Sequence, residues 1–407
     1  MSDMSLKPAQ VDYLLSPAAI RERAQNVFEY TVSGQGSFGY HQDKMKSTVA
    51  YVLSVIRDQY PDLRIPFHSR WGHFRAGGID RAGQLRARIK NLDKIEQARV
   101  QLDLVITSVL LDAGAGSTWK FHEKESNKSF TRSEGLGVAS YHMFLSGAMS
   151  SDKKSPRADS VGLKSITPAD IEKYFQVSDS NPLLGVEGRS ALLRNLGSAM
   201  EASSAFKDNR PGNIIDFLHI KYGDSIPASG VLRAVLDGLG PIWPGRLTAN
   251  GVNLGDVWRH SKLNTMDEFE SLIPLHKLSQ WMTYSLIEPI QDAGYTVTGI
   301  EELTGLAEYR NGGLLLDSGL LTLKSPKDGL VSWVPGTDLI IEWRALTVHL
   351  LDRIGDEVRK ALGKTPQDFP LAKVLEGGTW WAGRRLAFEM RKNGEPPLKI
   401  ESDGTVF

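Results

Sequence analysis

Apolar residues at helical spacing dominate the chain. Ser16 and Pro17 mark a helix start, because serine suits the N-cap and proline the first helical position. Residues 43–60 and 80–111 repeat apolar side chains about every 3.6 positions, which predicts two long helices. The same pattern predicts further helices at 190–201, 214–218, 227–239, 266–273, 275–293 and 379–391.

Strand-like runs are scarce. The best candidates are residues 313–323 and 339–343, although an amphipathic helix that opens at Ile341 is a second interpretation of the latter run. No tandem repeat is visible in the sequence. The fold class is therefore predicted to be mainly α, a single large globule with minor β.

A polar stretch interrupts the helical pattern near the middle of the chain. Residues 151–165 contain lysines, serines and a proline, which predicts an exposed linker. It would separate an N-terminal helical part, 1–150, from a C-terminal helical part, 166–407, that carries the proposed site. The alternative is that the two parts form one compact domain.

Composition narrows the class of protein. The 407 residues are 41% apolar and 24% charged, an ordinary globular balance. No apolar run is long enough to span a membrane, and the first residues lack the features of a signal peptide, so a cytoplasmic protein without a membrane partner is expected. Zero cysteines exclude disulfides and thiolate chemistry, and a net charge of zero disfavours a nucleic-acid partner.

The common catalytic signatures are missing from the sequence. It contains no His-Glu-x-x-His, no Gly-Lys-Ser/Thr phosphate loop and no Gly-x-Ser-x-Gly elbow. Its nine histidines are scattered, and His68 and His73 lack further obvious ligands. We therefore expect no cofactor and a metal-independent protein.

The most informative stretch runs from Leu303 to Asp317. It combines Glu308, Tyr309 and Arg310 with glycines beside an apolar Leu run. About twenty-five residues on, Glu342 and Arg344 supply a second acid and guanidinium. The two pairs could face one cleft, or they could be structural ion pairs, since buried charges are normally paired.

Other segments offer aromatic and basic groups. Trp281 lies in a predicted helix, where it would wall a pocket or pack in the core, and Trp119, after a glycine-rich turn, is a further candidate for substrate binding. Residues 61–78 break the helical pattern and concentrate Arg70, Trp71, His73 and Arg75. This loop is a second candidate binding surface, with a buried connector as the alternative.

Several of these motifs together resemble a known family. The chain resembles the uracil-catabolism family called Urc/Urg, formerly a domain of unknown function, along nearly all of its length. The resemblance implies a pathway that opens the uracil ring to a ribosyl-urea intermediate and frees urea. The segments that carry it are 14–23 (Leu-Leu-Ser-Pro-Ala-Ala-Ile-Arg-Glu-Arg), 64–71 (Arg-Ile-Pro-Phe-His-Ser-Arg-Trp), 111–116 (Leu-Asp-Ala-Gly-Ala-Gly), 308–313 (Glu-Tyr-Arg-Asn-Gly-Gly) and 378–384 (Gly-Thr-Trp-Trp-Ala-Gly-Arg).

A more remote resemblance bears on mechanism. Ala307-Glu-Tyr-Arg followed by Glu342-Trp-Arg is similar to the queuosine-salvage nucleotide N-glycosidases. That resemblance implies a DNA-glycosylase-like helical fold and makes Glu308 the catalytic carboxylate. The family has aspartate there, and glutamate carries its carboxylate about 1.5 Å farther from the backbone. Asp317 is the reserve for the catalytic acid, with a turn or cap residue as its alternative.

These observations lead to one functional hypothesis. The chain is predicted to be an N-glycosidase of uracil catabolism that hydrolyses a small ribosyl compound, ribosyl-urea or its 5′-phosphate, and releases urea. Glu308 would support the sugar cation and the water, and the arginines would hold polar groups of the substrate. The alternative is a non-catalytic binding or scaffold protein of the same pathway. The sequence does not determine the oligomeric state.

Overall fold

The structure is a computed structural model that describes residues 3–112, 114–116, 118–153, 156–243, 247–263 and 266–401. It confirms the mainly α prediction. The helices are α1 (Pro8–Leu14), α2 (Pro17–Val32), α3 (Met45–Gln59), α4 (Arg70–His73), α5 (Arg81–Ile89), α6 (Lys94–Leu110), α7 (Arg132–Leu145), α8 (Ser160–Lys164), α9 (Pro168–Tyr174), α10 (Val186–Ala202), α11 (Ile214–Tyr222), α12 (Ala228–Leu239), α13 (Lys277–Asp292), α14 (Tyr309–Asp317), α15 (Asp338–Leu362), α16 (Leu371–Val374) and α17 (Trp380–Met390). A π-helical turn, Leu375–Thr379, joins the last two.

The strands form two-stranded sheets only, within the part of the chain that the structure describes. They are β1 (Phe38–Tyr40), β2 (Lys120–Glu123), β3 (Lys128–Thr131), β4 (Ser225–Pro227), β5 (Thr248–Ala249), β6 (Val252–Asn253), β7 (Val257–Arg259), β8 (Leu272–Pro274), β9 (Thr296–Thr298), β10 (Leu321–Leu323), β11 (Ser332–Trp333) and β12 (Lys399–Ile400). The pairs β1–β10, β2–β3, β5–β6 and β7–β8 are antiparallel, whereas β4–β9 and β11–β12 are parallel. The minor β content predicted from the sequence is confirmed.

Contacts group the chain into two compact units. Unit 1 comprises Met1–His68, Gly245–Gln280 and Gly299–Phe407, and unit 2 comprises Ser69–Pro244 and Trp281–Thr298. The predicted division into 1–150 and 166–407 stays a prediction.

Unit 1 is built around α15. All residues from Leu339 to Val348 are buried in this helix, and it packs against α2, α3 and α14. Helix α14 in turn packs against α17, where a Cβ added at Gly383 would lie 2.0 Å from the carbonyl oxygen of Arg310. Only glycine permits so close a helix contact.

Unit 2 is built around α6. Every residue from Val100 to Leu110 is buried, as expected of a helix surrounded by other elements. Helices α7 and α10 pack on α6, and the β2–β3 hairpin packs on α7. At the start of α6, Asp93 accepts a hydrogen bond from the backbone N–H of Glu96 at 2.8 Å and thereby caps the helix.

Some local predictions hold and others do not. Ser16 caps α2 as predicted, since its side chain accepts from the Ala19 N–H. The long helix predicted at 80–111 is wrong, because the chain breaks between Ile89 and Lys94 into α5 and α6. The helix predicted at 266–273 is also wrong, since this stretch leads into β8.

Of the two predicted strands near the proposed site, one is wholly helical and the other partly helical. Residues 339–343 lie inside α15, and residues 313–317 belong to α14, so that only Leu321–Leu323 of the run 313–323 is a strand. A continuous apolar run suits a fully buried helix as well as a strand, and the pattern alone does not separate them. The second interpretation, a helix through Ile341, is the one confirmed.

The predicted exposed linker is partly buried. Residues 151–165 lie inside unit 2 and include α8. The Asp159 side chain caps α8 through the Gly162 N–H at 2.9 Å and accepts a hydrogen bond from Ser150 Oγ at the same distance. Because Ala158, Asp159 and Ser160 are buried, the description of this segment as an exposed linker is wrong for its second half.

None of the helices in the described ranges combines the length and the apolar character that a membrane crossing would require.

Candidate functional site

Glu308 is the N-cap of α14. Its two carboxylate oxygens accept the backbone N–H groups of Arg310 at 2.8 Å and Asn311 at 2.5 Å. The residue is 7% exposed. A carboxylate has about four acceptor positions, so these two bonds leave it able to accept from a water or a hydroxyl.

Tyr309 and Arg310 follow directly in α14. The Arg310 guanidinium donates to the Gly394 carbonyl at 2.8 Å and lies over the Tyr309 ring, 4.9 Å from its centroid. Arg310 thus ties α14 to the segment after α17. That contact suits a purely structural role for Arg310 as well as a role in substrate binding.

Arg344 forms a largely buried ion pair with Asp256. Its two terminal nitrogens donate to the two oxygens of Asp256, each at 2.7 Å, and Nε reaches the Ala307 carbonyl at 3.4 Å. Ala307 precedes Glu308, so α15 touches the start of α14 at this point. The structure therefore brings Glu308 and Arg344 together.

Asp256 receives several hydrogen bonds besides that pair. The Lys277 N–H donates at 3.0 Å and the Trp258 indole N–H at 2.6 Å. Burial by itself would raise the pKa of Asp256, but the Arg344 charge and these hydrogen bonds outweigh it and lower the pKa. Asp256 is therefore held as a carboxylate.

His276 adds a strained and unsatisfied group to this cluster. It adopts φ 43°, a left-handed conformation that is uncommon for a residue with a side chain. Its Nε2 bonds the Leu14 carbonyl at 2.9 Å, whereas Nδ1 is buried without a partner among the described residues. Burial lowers the pKa of His276, against the opposing effects of Leu14 and Asp256. The ring is therefore neutral and Nδ1 is a hydrogen-bond acceptor.

Two side-chain amides, those of Gln280 and Asn311, also have buried polar atoms without a hydrogen-bond partner in the described ranges. Gln280, whose N–H donates to the His276 carbonyl at 2.8 Å, has a fully buried side-chain amide with no partner for either atom in the described part of the chain. Asn311, next to Glu308 in space, has a buried Oδ1 in the same condition. Buried polar atoms are normally paired, so such groups indicate water or a ligand.

Glu342 lies elsewhere on α15 in a separate polar cluster. It accepts the Ser37 N–H at 2.6 Å and contacts His260 Nε2 at 3.1 Å. Its carboxylate thus joins α15 to the loop before β1 and to β7. The structure does not join Glu342 to Glu308 through any of these contacts.

Asp317 closes α14 with an ion pair of its own. Arg391 donates to its two oxygens at 2.9 Å and 2.5 Å, and the Asp317 side chain is 3% exposed. This bidentate contact anchors the end of α17 to α14. It favours the structural alternative over a catalytic role for Asp317.

Trp281 and Trp119 belong to unit 2. Trp119 is fully buried and donates its indole N–H to the Phe175 carbonyl at 2.9 Å, which suits core packing. Trp281 is buried beside Arg70, whose guanidinium lies 5.7 Å from the indole centroid. The Trp281 N–H has no partner among the described residues.

One cavity of unit 1, of about 570 Å³, lies between α3 and the second half of α15. Arg353, Lys46, Lys360 and Met45 are among its lining residues, and none of the predicted site residues lines it.

A group with possible metal ligands occurs in unit 2. Glu123, Glu125 and His142 bring ligand atoms within 4.8 Å of one another. However, Arg81 already makes two hydrogen bonds of 2.6 Å to Glu123. Although burial alone would raise it, bonds from Arg81, Ser126 and His142 lower the pKa of Glu123 to about 2. The Arg81 guanidinium therefore already binds the Glu123 oxygens that a metal cation would need as ligands.

Sequence reasoning missed Asp256, His276 and Asn311. A lone acid between Leu254 and the Val257-Trp258 pair is a signal for a buried carboxylate, since such an acid needs a partner. No comparable signal marks His276, because its backbone strain and its unpaired nitrogen arise from contacts with distant parts of unit 1.

Comparison with known proteins gives full-length matches. The profile of a family described as "Protein of unknown function (DUF1688)" matches residues 13–407. "Uracil catabolism protein 4" of Lachancea kluyveri is 39% identical over 436 residues, which cover 98% of this chain and 99% of that protein. "Protein urg3" of Schizosaccharomyces pombe is 38% identical over 406 residues, covering 97% and 98%.

Proposed function

We propose that this chain, which belongs to the DUF1688 family, takes part in uracil catabolism as an N-glycosidase that hydrolyses ribosyl-urea or its 5′-phosphate. The pathway is inferred from the name of the relative from Lachancea kluyveri, which covers nearly the whole chain. The chemistry is our inference from the residues around Glu308.

The observation that carries the proposal is a set of polar atoms able to accept further hydrogen bonds, on Glu308 and Asn311 at the start of α14 and on His276. Glu308 has acceptor capacity left, Asn311 Oδ1 has no partner in the described ranges, and His276 Nδ1 is an unpaired acceptor beside Asp256 and Arg344. Acceptors of this kind complement the N–H groups of a urea moiety. A carboxylate beside them can stabilise the positive charge that develops on the sugar.

The reaction needs one acid-base residue and one water. Water would attack the anomeric carbon, the bond from that carbon to the urea nitrogen would break, and its electron pair would stay on the nitrogen. Glu308 would take a proton from the water and pass it to the departing nitrogen, so that ribose or ribose 5-phosphate and urea leave and the carboxylate is regenerated. A positioned carboxylate of this kind contributes about 10²–10⁴-fold to a rate.

A binding or scaffold role without chemistry is the second candidate. The observation that favours it is that Glu308, Arg310, Arg344 and Asp317 all have internal partners in unit 1. These contacts stabilise the fold whether or not a substrate is present.

The test is urea release from ribosyl-urea and from its 5′-phosphate by the purified chain after exhaustive chelation of metals. Glu308→Gln keeps one acceptor for the helix cap but removes the charge, so we expect urea release to fall about 10²–10⁴-fold while the far-UV circular dichroism is unchanged. Asp93→Asn is the matched control, because Asp93 is an exposed carboxylate that caps α6 in the same way. It should leave turnover unchanged.

The outcomes separate the two candidates. Turnover by the wild type that Glu308→Gln abolishes supports the N-glycosidase. Full turnover by a folded Glu308→Gln protein overturns the role of Glu308, and binding of either compound without any urea release favours the binding protein.

A further inference from the structure

Two motif segments have no role in the site around Glu308, and the structure joins them in unit 1. Residues 64–68 follow α3 and belong to no helix or strand, and the His68 backbone N–H donates to the Ala372 carbonyl at 3.0 Å. This contact brings His68 to the π-helical turn that precedes Trp380. The sequence separates the two segments by about three hundred residues, so only the fold reveals the cluster.

His68 and Glu376 form a buried histidine–carboxylate pair. The distance from His68 Nδ1 to Glu376 Oε2 is 2.7 Å, and the Tyr60 hydroxyl donates to Glu376 Oε1 at 3.2 Å. Because a carboxylate only accepts hydrogen bonds, the His68 proton lies on Nδ1. In the neutral ring the other nitrogen, Nε2, is then an acceptor.

That acceptor faces no partner within the described ranges of the chain. The hydrogen bonds of the His68 ring end at Glu376, and 10% of the side-chain surface is exposed. A histidine held this way presents a basic nitrogen of fixed orientation, because the carboxylate behind it fixes the tautomer. Such a nitrogen is suited to accept a hydrogen bond from a ligand.

The π-helical turn Leu375–Thr379 holds Glu376 in place. A Cβ at Gly377 would lie 2.5 Å from Ile65 Cδ1, and one at Gly378 would lie 2.7 Å from Val52 Cγ1. A larger residue at either position would therefore force these side chains of α3 and the 64–68 segment to move. Single π-turns inside helices are frequent at functional sites.

Two indole rings lie beside His68. Its ring centroid is 5.8 Å from that of Trp380, and Trp380 and Trp381 meet edge to face at 5.0 Å. The Arg384 guanidinium lies over both indoles, at 5.5 Å and 5.2 Å. All three side chains are half-buried. Indole and guanidinium planes are surfaces on which planar groups stack.

We infer that His68 and Trp380 bind a planar ligand that carries an N–H donor, of the pyrimidinone or ureido class. The plane of the ligand would stack against the Trp380 indole, and its N–H would donate to His68 Nε2. Glu376 is a positioning residue, because it acts through the tautomer of His68. The inference does not depend on the proposed N-glycosidase reaction.

The experiment compares the binding of uracil and of 1,3-dimethyluracil to the full chain by calorimetry. The two probes share a planar ring, but the second has no N–H. One hydrogen bond changes affinity by roughly 2- to 12-fold, so we expect uracil to bind about 5-fold more tightly. His68→Phe keeps an aromatic ring and should reduce the affinity for uracil to that for 1,3-dimethyluracil.

A second variant covers the case in which His68→Phe fails to fold. Trp380→Leu changes a half-buried side chain, and it should weaken both probes about equally, by at least about 5-fold, because stacking does not depend on the N–H. His122→Phe is the control, since His122 is an exposed histidine of β2 that contacts Ser129 Oγ at 3.2 Å. It should change neither affinity.

Three results would overturn the inference. They are a dissociation constant for uracil weaker than roughly 10 mM in the wild type, equal affinity for the two probes, and a preference for uracil that survives in His68→Phe. Urea release is not measured in this experiment, so its outcome and that of the N-glycosidase test are independent.

Discussion

The Asp256–Arg344 pair should be among the strongest couplings in unit 1. Arg344 is buried, only 10% of the Asp256 side chain is exposed, and two hydrogen bonds of 2.7 Å join the two residues. Removal of one partner from a buried pair leaves an uncompensated charge, which costs about 3–5 kcal/mol. We therefore expect Arg344→Met and Asp256→Leu each to lower the free energy of unfolding by about that amount.

The double variant tests the origin of that cost. With both charges gone, neither desolvation penalty remains, so Asp256→Leu combined with Arg344→Met should be destabilised by at least about 3 kcal/mol less than the sum of the single variants. Part of the loss will persist, because the Lys277 N–H and the Trp258 indole lose their acceptor.

The assay is urea unfolding at pH 7, followed by far-UV circular dichroism, with free energies taken from the midpoints. The matched control is the exposed pair Arg233–Asp237 on α12, which is also joined at 2.8 Å. Its coupling should be only about 0.3–0.5 kcal/mol. Single variants of the buried pair whose effects simply add, or a coupling below about 1 kcal/mol, would refute the reasoning.

Two further predictions concern packing and pH. Gly312→Ala would bring a Cβ within 2.7 Å of Trp343 Cε2 and should destabilise the protein by about 1–3 kcal/mol. Gly188→Ala is the control, because a Cβ there meets open space in α10, and it should stabilise the protein by up to about 1 kcal/mol. Calorimetric melting checks both variants, and equal shifts of the melting temperature would contradict the packing argument. Burial, with the Arg353 charge, lowers the pKa of His349 from 6.5 to about 4. The stability that its neutral ring contributes is therefore complete above pH 6.5 and is lost as the pH falls towards 4. The total loss is roughly 3 kcal/mol. His349→Phe, which retains stacking on Phe28, should remove that part of the acid dependence of the melting temperature, and an unchanged profile would show that His349 does not cause it.

The helical character of the chain was predictable because it depends on local spacing. A 3.6-residue period records which face of a helix is buried, and Ser16 and Thr167 satisfy backbone N–H groups within three residues. The predictions were wrong where the spacing of apolar residues does not distinguish a helix from a strand. Residues 339–343 are buried on all sides in α15, so the spacing of their apolar side chains does not show one buried face.

The proposed site was predictable only in part. Short-range motifs identified Glu308 and Arg344, and the fold brings them together through the Ala307 carbonyl. The same motifs grouped Glu342 with Arg344, yet side chains two residues apart on a helix point in different directions, and Glu342 contacts His260 instead. Pairing between distant residues determines which charges share a cluster.

The sequence by itself determined the helical class, several helix caps and the residue types available for chemistry, because each depends on neighbours within one or two turns. Only the tertiary structure decided that Asp256 pairs with Arg344, that His276 carries an unpaired nitrogen, and that His68 meets Glu376. These contacts join residues far apart in the chain. They exist because α15 and the π-helical turn pack in unit 1, and side-chain packing over such separations leaves no periodic signal in the sequence.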